Sequence, residues 1–151
     1  MLELAREADF EAFNAIASQV HDLHVGWRPD LYCHANPLFP MDVYRQLIGE
    51  KSAFVAKLSG EVVGIVVVCF YEVKGAGNVT RKVMRLDNIA VREELRNHGI
   101  GRIMMGDVRA LAMARGCDEV VLNVYPENDR AVAFYQKCGY TIRSINMQQK
   151  L

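Results

Sequence analysis

The residues best suited to chemistry lie in RNHGIGRIMMG, residues 96–106, where Gly99 and Gly101 stand between Arg96 and Arg102 and open onto an apolar pattern of helical period. A helix start exposes backbone N–H groups with no intrahelical acceptor and carries a partial positive charge. Glycine lets that backbone approach an anion with no Cβ in the way, and the arginines can add charge-assisted hydrogen bonds. These types at this spacing suit a phosphate. The same glycines would also serve a plain turn before an amphipathic helix, and the local pattern leaves both readings open. Two phosphate-binding folds are excluded by spacing. A dinucleotide turn needs Gly-x-Gly-x-x-Gly directly after a strand, but Met104 stands at the third glycine and seven residues separate Val91 from Gly99. A P-loop needs Gly-Lys-Ser/Thr, and Gly101 is followed by Arg102 and Ile103.

Other chemistry-bearing residues have plainer alternatives. Tyr135 is a proton donor or an aromatic on the apolar face of a short helix beside Ala131 and Val132. Asp87 is a proton acceptor on a strand, a solvent-facing carboxylate or a residue at a bulge. Asn128 can cap a helix. His21 and His24 stand one turn apart, too few for a metal site, and are expected to line a cleft; no metal is expected. Trp27, Tyr32, Phe39 and Tyr44 surround a proline-rich stretch and either form a pocket or cover the core.

The elements that must position these groups follow from periodicity. The 151 residues, 51% hydrophobic, fit one domain, 1–151, with one substantial core. Eighteen basic and 18 acidic residues cancel, which argues against nucleic acid as a partner and requires any bound anion to be captured locally. Four scattered cysteines with no Cys-x-x-Cys pair, and an acidic start MLELAREADF, suggest a reduced, cytoplasmic protein. The run VVGIVVVCFY, 62–71, is half a membrane span and β-branched, so it predicts a strand buried on both faces, and no membrane partner is expected. Phe10, Phe13, Ile16, Ala17, Val20 and Leu23 predict a helix over 9–25 after a strand at 2–5. A loop at 26–41, a helix at 41–50 and a hairpin hinged at Ser59-Gly60 follow, the loop being long enough for a functional role. A strand at 82–91, a helix at 99–115 anchored by Ile100, Ile103, Met104, Val108 and Leu111, a strand at 119–125, a helix at 128–138 and a last strand at 140–150 complete the chain. This order predicts an α/β domain with a mixed sheet and helices on both faces.

Arg96, Gly99 and Gly101 meet the pattern Arg/Gln-x-x-Gly-x-Gly/Ala, and the segment resembles the pyrophosphate-binding signature of the GNAT superfamily of acyl-CoA N-acyltransferases. The preceding LDNIAV is similar to that family's strand. NDRAVAFYQKCGY, 128–140, resembles its next signature, an Asn followed by Ala, an aromatic-Tyr pair and Gly-aromatic. The resemblance is strong over 82–140; earlier, RPDLY is similar to some members only.

The resemblance implies a sheet splayed between the strands at 82–91 and 119–125, with acetyl-CoA as co-substrate in the gap. Its pantetheine arm would run along Ile89, Ala90 and Val91, and its pyrophosphate would sit on Arg96, Asn97, His98, Gly99, Ile100, Gly101 and Arg102. An extended amide-bearing chain can indeed satisfy the N–H and C=O groups exposed where two strands diverge. Asn128 would contact the cofactor arm, a role compatible with capping. Tyr135 would protonate the departing thiolate, Asp87 would take the amine proton, and a backbone N–H of 89–91 would hold the oxyanion. The implied activity is transfer of an acetyl group to a primary amine of a small molecule or protein; the alternative is a non-catalytic acyl-CoA-binding or regulatory module. The stretch after Gly139 is shorter than the two terminal strands common in the family, which points to a possible homodimer.

Overall fold

A computed structural model describes residues 1–151. The chain runs β1 (Leu2–Leu4), α1 (Phe10–Trp27), α2 (Met41–Gly49), β2 (Ala53–Leu58), β3 (Glu61–Val73), β4 (Arg81–Val91), α3 (Ile100–Ala114), β5 (Glu119–Leu122) and α4 (Asp129–Lys137). Short 3₁₀ turns at Glu7–Asp9 and Glu93–Leu95 precede α1 and α3. The sheet order is β1-β2-β3-β4-β5. The first four strands are antiparallel and β5 is parallel to β4, so α3 is the crossover that a parallel pair requires. No helix is long and apolar enough to cross a membrane.

Helices cover both faces, as the alternating pattern predicts. Phe13, Ile16 and Ala17 of α1 pack with Tyr44 of α2 against Val55, Ile65 and Val67 on one face. Ile100, Met104, Met105, Val108 and Ala112 of α3 pack against Val63, Val66, Val68, Met84 and Leu86 on the other. β3 therefore buries side chains in both cores, which its unbroken apolar run requires. Two expected anchors lie outside: Leu23 is 44% and Ile103 51% exposed. Met105 rather than Ile103 completes the buried stripe of α3, because it falls on the same side of the helix as Val108 and Ala112.

One irregularity shapes the centre of the sheet. Val67 pairs with Asn88 and Val68 with Leu86, so Asp87 bulges from β4 with no partner on β3. An extra residue reverses the facing of every side chain beyond it. Met84 and Leu86 before the bulge belong to the α3-side core; after it, Ala90 belongs to the α1-side core and Ile89 and Val91 pack toward α3. The β4–β5 ladder stops at Leu86↔Leu122, where the bulge begins. Beyond it the strands part. Residues 123–125, expected in β5, consequently have no ladder to join.

The strand expected over 140–150 does not form: residues 141–151 lie in no regular element and none of their backbone groups bonds to the sheet. Sequence alone does not make a strand, since extended backbone needs a neighbour's N–H and C=O groups.

Gly64 of β3 lies opposite Val91, and a Cβ there would come within 2.6 Å of Met104 Sδ and 3.0 Å of Ala90 O. Gly64→Val is therefore expected to destabilise the fold by about 1–3 kcal/mol through overpacking. The check is a lowered urea midpoint with an unchanged m-value. An unchanged midpoint would mean that Met104 has room to move aside.

Candidate functional site

The opening between β4 and β5 presents backbone groups that the sheet leaves unpaired. Arg92 N–H donates to Val63 O on β3. Because alternate residues of an antiparallel strand turn their N–H and C=O to opposite edges, Ala90 also faces β3, while Ile89 and Val91 face the opening. Val91 O accepts a 3.0 Å hydrogen bond from Arg96 Nε. The open edge thus offers both backbone groups of Ile89 and the N–H of Val91. Ala90 contributes a buried methyl instead.

At the end of β4 the chain turns into α3. Asn97 (φ 67°) and Gly99 (φ 82°) are both left-handed, and Gly99 is the N-cap. That backbone explains glycine at 99. Gly101 has no such backbone: a Cβ there would stand 3.4 Å from the Phe134 ring and 3.8 Å from Val91 Cγ2, ordinary contact distances at the point where α3, α4 and the end of β4 meet. The first intrahelical bonds run from Arg102 and Ile103 N–H to Gly99 O. The N–H groups of Gly99, Ile100 and Gly101 therefore have no helical acceptor. No side chain caps this end and its first turn holds no acidic residue, so its positive potential is uncompensated. His98 Nδ1 contacts Arg96 O at 2.8 Å, and Asn97, His98 and Arg102 are exposed.

α4 closes the same side. Asn128 is its N-cap, with Oδ1 accepting from Ala131 N–H at 3.2 Å, so the capping role is present. Tyr135 packs between Phe134 and Tyr140, ring centroids 5.4 and 5.9 Å away, and against the α3-side core. Burial, with smaller contributions from Tyr140 and Cys138, pushes its phenol up to about 12. Its hydroxyl bonds to no protein group, which leaves a firmly held proton free to be donated.

α1 spans the opening on the opposite face. Near its middle, Gln19 Oε1 accepts from Glu93 N–H at 2.9 Å and meets Arg96 at 3.5 Å, which ties the helix to the β4–α3 turn. One turn and a half later, the His24 ring lies 5.9 Å from Tyr125, just beyond β5, and 5.8 Å from Tyr32. Tyr32 and Tyr125 share a hydroxyl hydrogen bond of 2.5 Å. Asn14, buried in α1, exchanges hydrogen bonds with Phe39 N–H and O and so pins the proline-rich loop that carries Tyr32. The four aromatics around that loop divide: Phe39 and Tyr44 pack at steep angles against Phe13 of the core, while Trp27 and Tyr32 flank His24 at the rim. Asp87 is exposed, and both of its oxygens are engaged by Arg85.

The helix start, the end of β4 and α4 thus meet around Gly101, through Val91 and Phe134. Gln19 and Tyr125 escaped the sequence because each matters through a contact with a distant segment. Burial first, and then the nearby His21, disfavour the His24 imidazolium and lower its pKa from 6.5. The unfolded chain then takes up the extra proton on acidification. Stability from this group is complete above pH 6.5 and declines as the pH falls through the folded value. NMR titration is expected to place the His24 midpoint below 6.5, and His24→Gln to flatten the acid dependence of the unfolding free energy. A midpoint at or above 6.5 would contradict this.

The model of the acetyltransferase (GNAT) family matches residues 18–140. Among solved structures, a single-residue mutant of the BH1408 protein from Bacillus halodurans superimposes with a TM-score of 0.94 at 24% identity, covering 100% of this chain and 99% of that one. A transcriptional regulator from Bacillus halodurans C-125 gives 0.73 at 18% identity, covering 100% and 99%. An aminoglycoside N-acetyltransferase, AAC(6')-Iy in complex with CoA, gives 0.70 at 16% identity over 100% of both chains. At these identities the superpositions speak for the fold, and the family match, spanning most of the chain, speaks for descent. With its splayed mixed sheet and its glycine-led α3, the chain belongs to the acetyltransferase (GNAT) family.

Proposed function

We propose that this protein is an N-acetyltransferase that moves an acetyl group from acetyl-CoA to a primary amine of a small molecule or a protein. The observation that carries this reading is one opening with an uncapped helix start and a free strand edge beside it, a protonated phenol on one face and a neutral imidazole on the other. The residues present fit the co-substrate. Its pyrophosphate suits the free N–H groups of Gly99, Ile100 and Gly101 with Arg102 nearby. Its pantetheine amides suit the N–H and C=O groups that Ile89 and Val91 turn to the opening. CoA in one structure of similar fold is consistent with this.

Acetyl-CoA supplies a thioester whose acyl carbon is open to attack by an amine. The chain's own groups do the rest. The N–H of Ile89 can donate to charge developing on the acyl oxygen. Tyr135 holds its proton until a thiolate within hydrogen-bond reach accepts it. Among the proton acceptors near the opening, Asp87 is engaged by Arg85 and His21 Nε2 contacts Cys33 O, whereas His24 is neutral at pH 7 and faces the rim that Tyr32 and Tyr125 line. His24 is therefore assigned the amine proton. Tyrosine faces around it suit a cationic amine before deprotonation.

Thiol release from acetyl-CoA over a panel of polyamines, aminoglycosides, amino acids and N-terminal peptides tests the activity. With the amine so identified, Tyr135→Phe is expected to lower turnover by about 10²–10⁴-fold at nearly unchanged acetyl-CoA affinity. Wild-type turnover in that variant would return Tyr135 to the core. Gly101→Asp is expected to abolish acetyl-CoA binding in calorimetry while the protein stays folded, because an acidic side chain in a first turn favours the helix itself. Acetyl-CoA at about a hundred times its Kd should stabilise the wild type by about 2.7 kcal/mol. Stabilisation without thiol release from any amine would leave a binding or regulatory module.

A further inference from the structure

Five aromatic rings gather at the rim where α1 ends. His21, His24 and Trp27 stand on successive turns of α1, Tyr32 on the proline-rich loop and Tyr125 just beyond β5. Neighbouring ring centroids are 5.6–6.1 Å apart. Every one of the five residues is half-buried, so each keeps part of its surface for a ligand. Their polar atoms are largely engaged already. The Tyr32 and Tyr125 hydroxyls bond to one another at 2.5 Å, and His21 Nε2 meets Cys33 O at 2.8 Å. What the cluster offers a ligand is therefore mainly ring surface, with the His24 imidazole, which bonds to no protein group, in its midst.

The charges around these rings cancel. Asp30 is paired with Arg28 at 2.8 Å and with Lys150 at 3.0 Å. Asp22 meets His34 Nδ1 at 2.7 Å, and both oxygens of Asp87 are held by Arg85. Glu127, two residues past Tyr125, forms no ion pair, but its charge acts on Arg28. Arg28 and Lys150 thus stand against Asp30 and Glu127, with no negative charge in excess. Arg28 also lies 5.9 Å over the Tyr125 ring, so that ring already holds a cation. A ligand with several ammonium groups would bring charges for which no surplus carboxylate exists, and it would meet Arg28 and Lys150. A polyol would find few unengaged hydrogen-bonding groups among the rings and would leave its hydroxyls unpaired.

We infer that the amine taken by this opening is a monoamine with an aromatic body, whose ring packs against Trp27, Tyr32 and Tyr125 while its one amino group lies at His24. The inference rests on the acetyl transfer proposed above and adds the class of acceptor. An aromatic ligand finds edge-to-face partners in the cluster, and a single ammonium is drawn to the ring faces before it gives up its proton. In the transfer itself the amine lone pair forms the N–C bond and the C–S bond of the thioester breaks. His24 takes the proton that leaves nitrogen, and Tyr135 supplies the one that sulfur gains. The products are a neutral amide and the CoA thiol, so the ligand leaves without the charge that brought it to the rings.

The test measures thiol release from acetyl-CoA with phenethylamine, cyclohexylethylamine and spermidine. The first two carry the same charge at the same reach and differ in the ring; the third has no ring and more charge. The kcat/KM for phenethylamine is expected to exceed that for cyclohexylethylamine several-fold and that for spermidine by about ten-fold or more. Spermidine ahead of phenethylamine, or cyclohexylethylamine level with it, overturns the inference and leaves acetyl transfer standing. Tyr32→Phe keeps the ring and should keep the preference for phenethylamine over cyclohexylethylamine, whereas Tyr32→Leu should erase it by raising the KM for phenethylamine. An equal loss for both amines in the Leu variant would make Tyr32 structural and overturn its part in recognition. Trp27 is the chain's one tryptophan, so its fluorescence reports amine binding with no acetyl-CoA present. It should saturate at about ten-fold lower phenethylamine than spermidine, and no response to phenethylamine overturns the inference. Saturation of that signal without thiol release from any amine would sink the transfer reading and leave the ligand class standing.

Discussion

The whole arrangement depends on one extra residue in β4. With Asp87 unpaired, the strand bends away from β5 at Leu86 and reverses the facing of everything after it. A regular β4 would turn Ile89 and Val91 toward α1 and continue the ladder with β5, leaving no opening. The bulge instead frees the outer edge of β4, sends Ala90 into the α1-side core and seats Ile89 and Val91 against α3 and α4. A single insertion thus creates the cleft and fixes its two ends.

The two faces of that cleft have different physical characters. On the α3 face the groups are fixed backbone dipoles and a desolvated phenol, all of which favour negative charge nearby. On the α1 face they are imidazole and tyrosine rings, half-buried, with the ion pair of Arg28 and Asp30 at the rim. On the proposed reading, separation of an anion-binding face from an amine-facing one would let each be tuned without disturbing the other. The cores behind them are separate too, one under α3 and one under α1 and α2, joined through β3, whose side chains serve both.

Polar side chains with few partners do much of the positioning. Gln19 links α1 to the β4–α3 turn, Asn14 fixes the proline-rich loop, and Asn128 starts α4. Each satisfies backbone groups at the end of an element or in a loop, where no ladder or helix can do so. The opening is held by these caps and bridges as well as by apolar packing.

Local pattern was enough to read the order of elements as far as α4, the helix start at Gly99 and the family resemblance. Periodicity, left-handed glycines and N-cap chemistry act over a few residues, and the chain alone carries them. Asn128 as a cap and β3 as a doubly buried strand belong to the same class. Position across the sheet does not. The bulge at Asp87 arises from the register between β3 and β4, and the meeting of His24, Tyr32 and Tyr125 joins residues up to 101 positions apart. Glu93 and Gln19 are 74 apart, and Gln148 and Arg28 are 120 apart. The sequence predicts a strand over 140–150, but pairing is a property of two edges and not of one sequence. Only the tertiary structure decided that this edge stands alone in the single chain, and that half the aromatics around the proline-rich loop belong to the core and half to the rim.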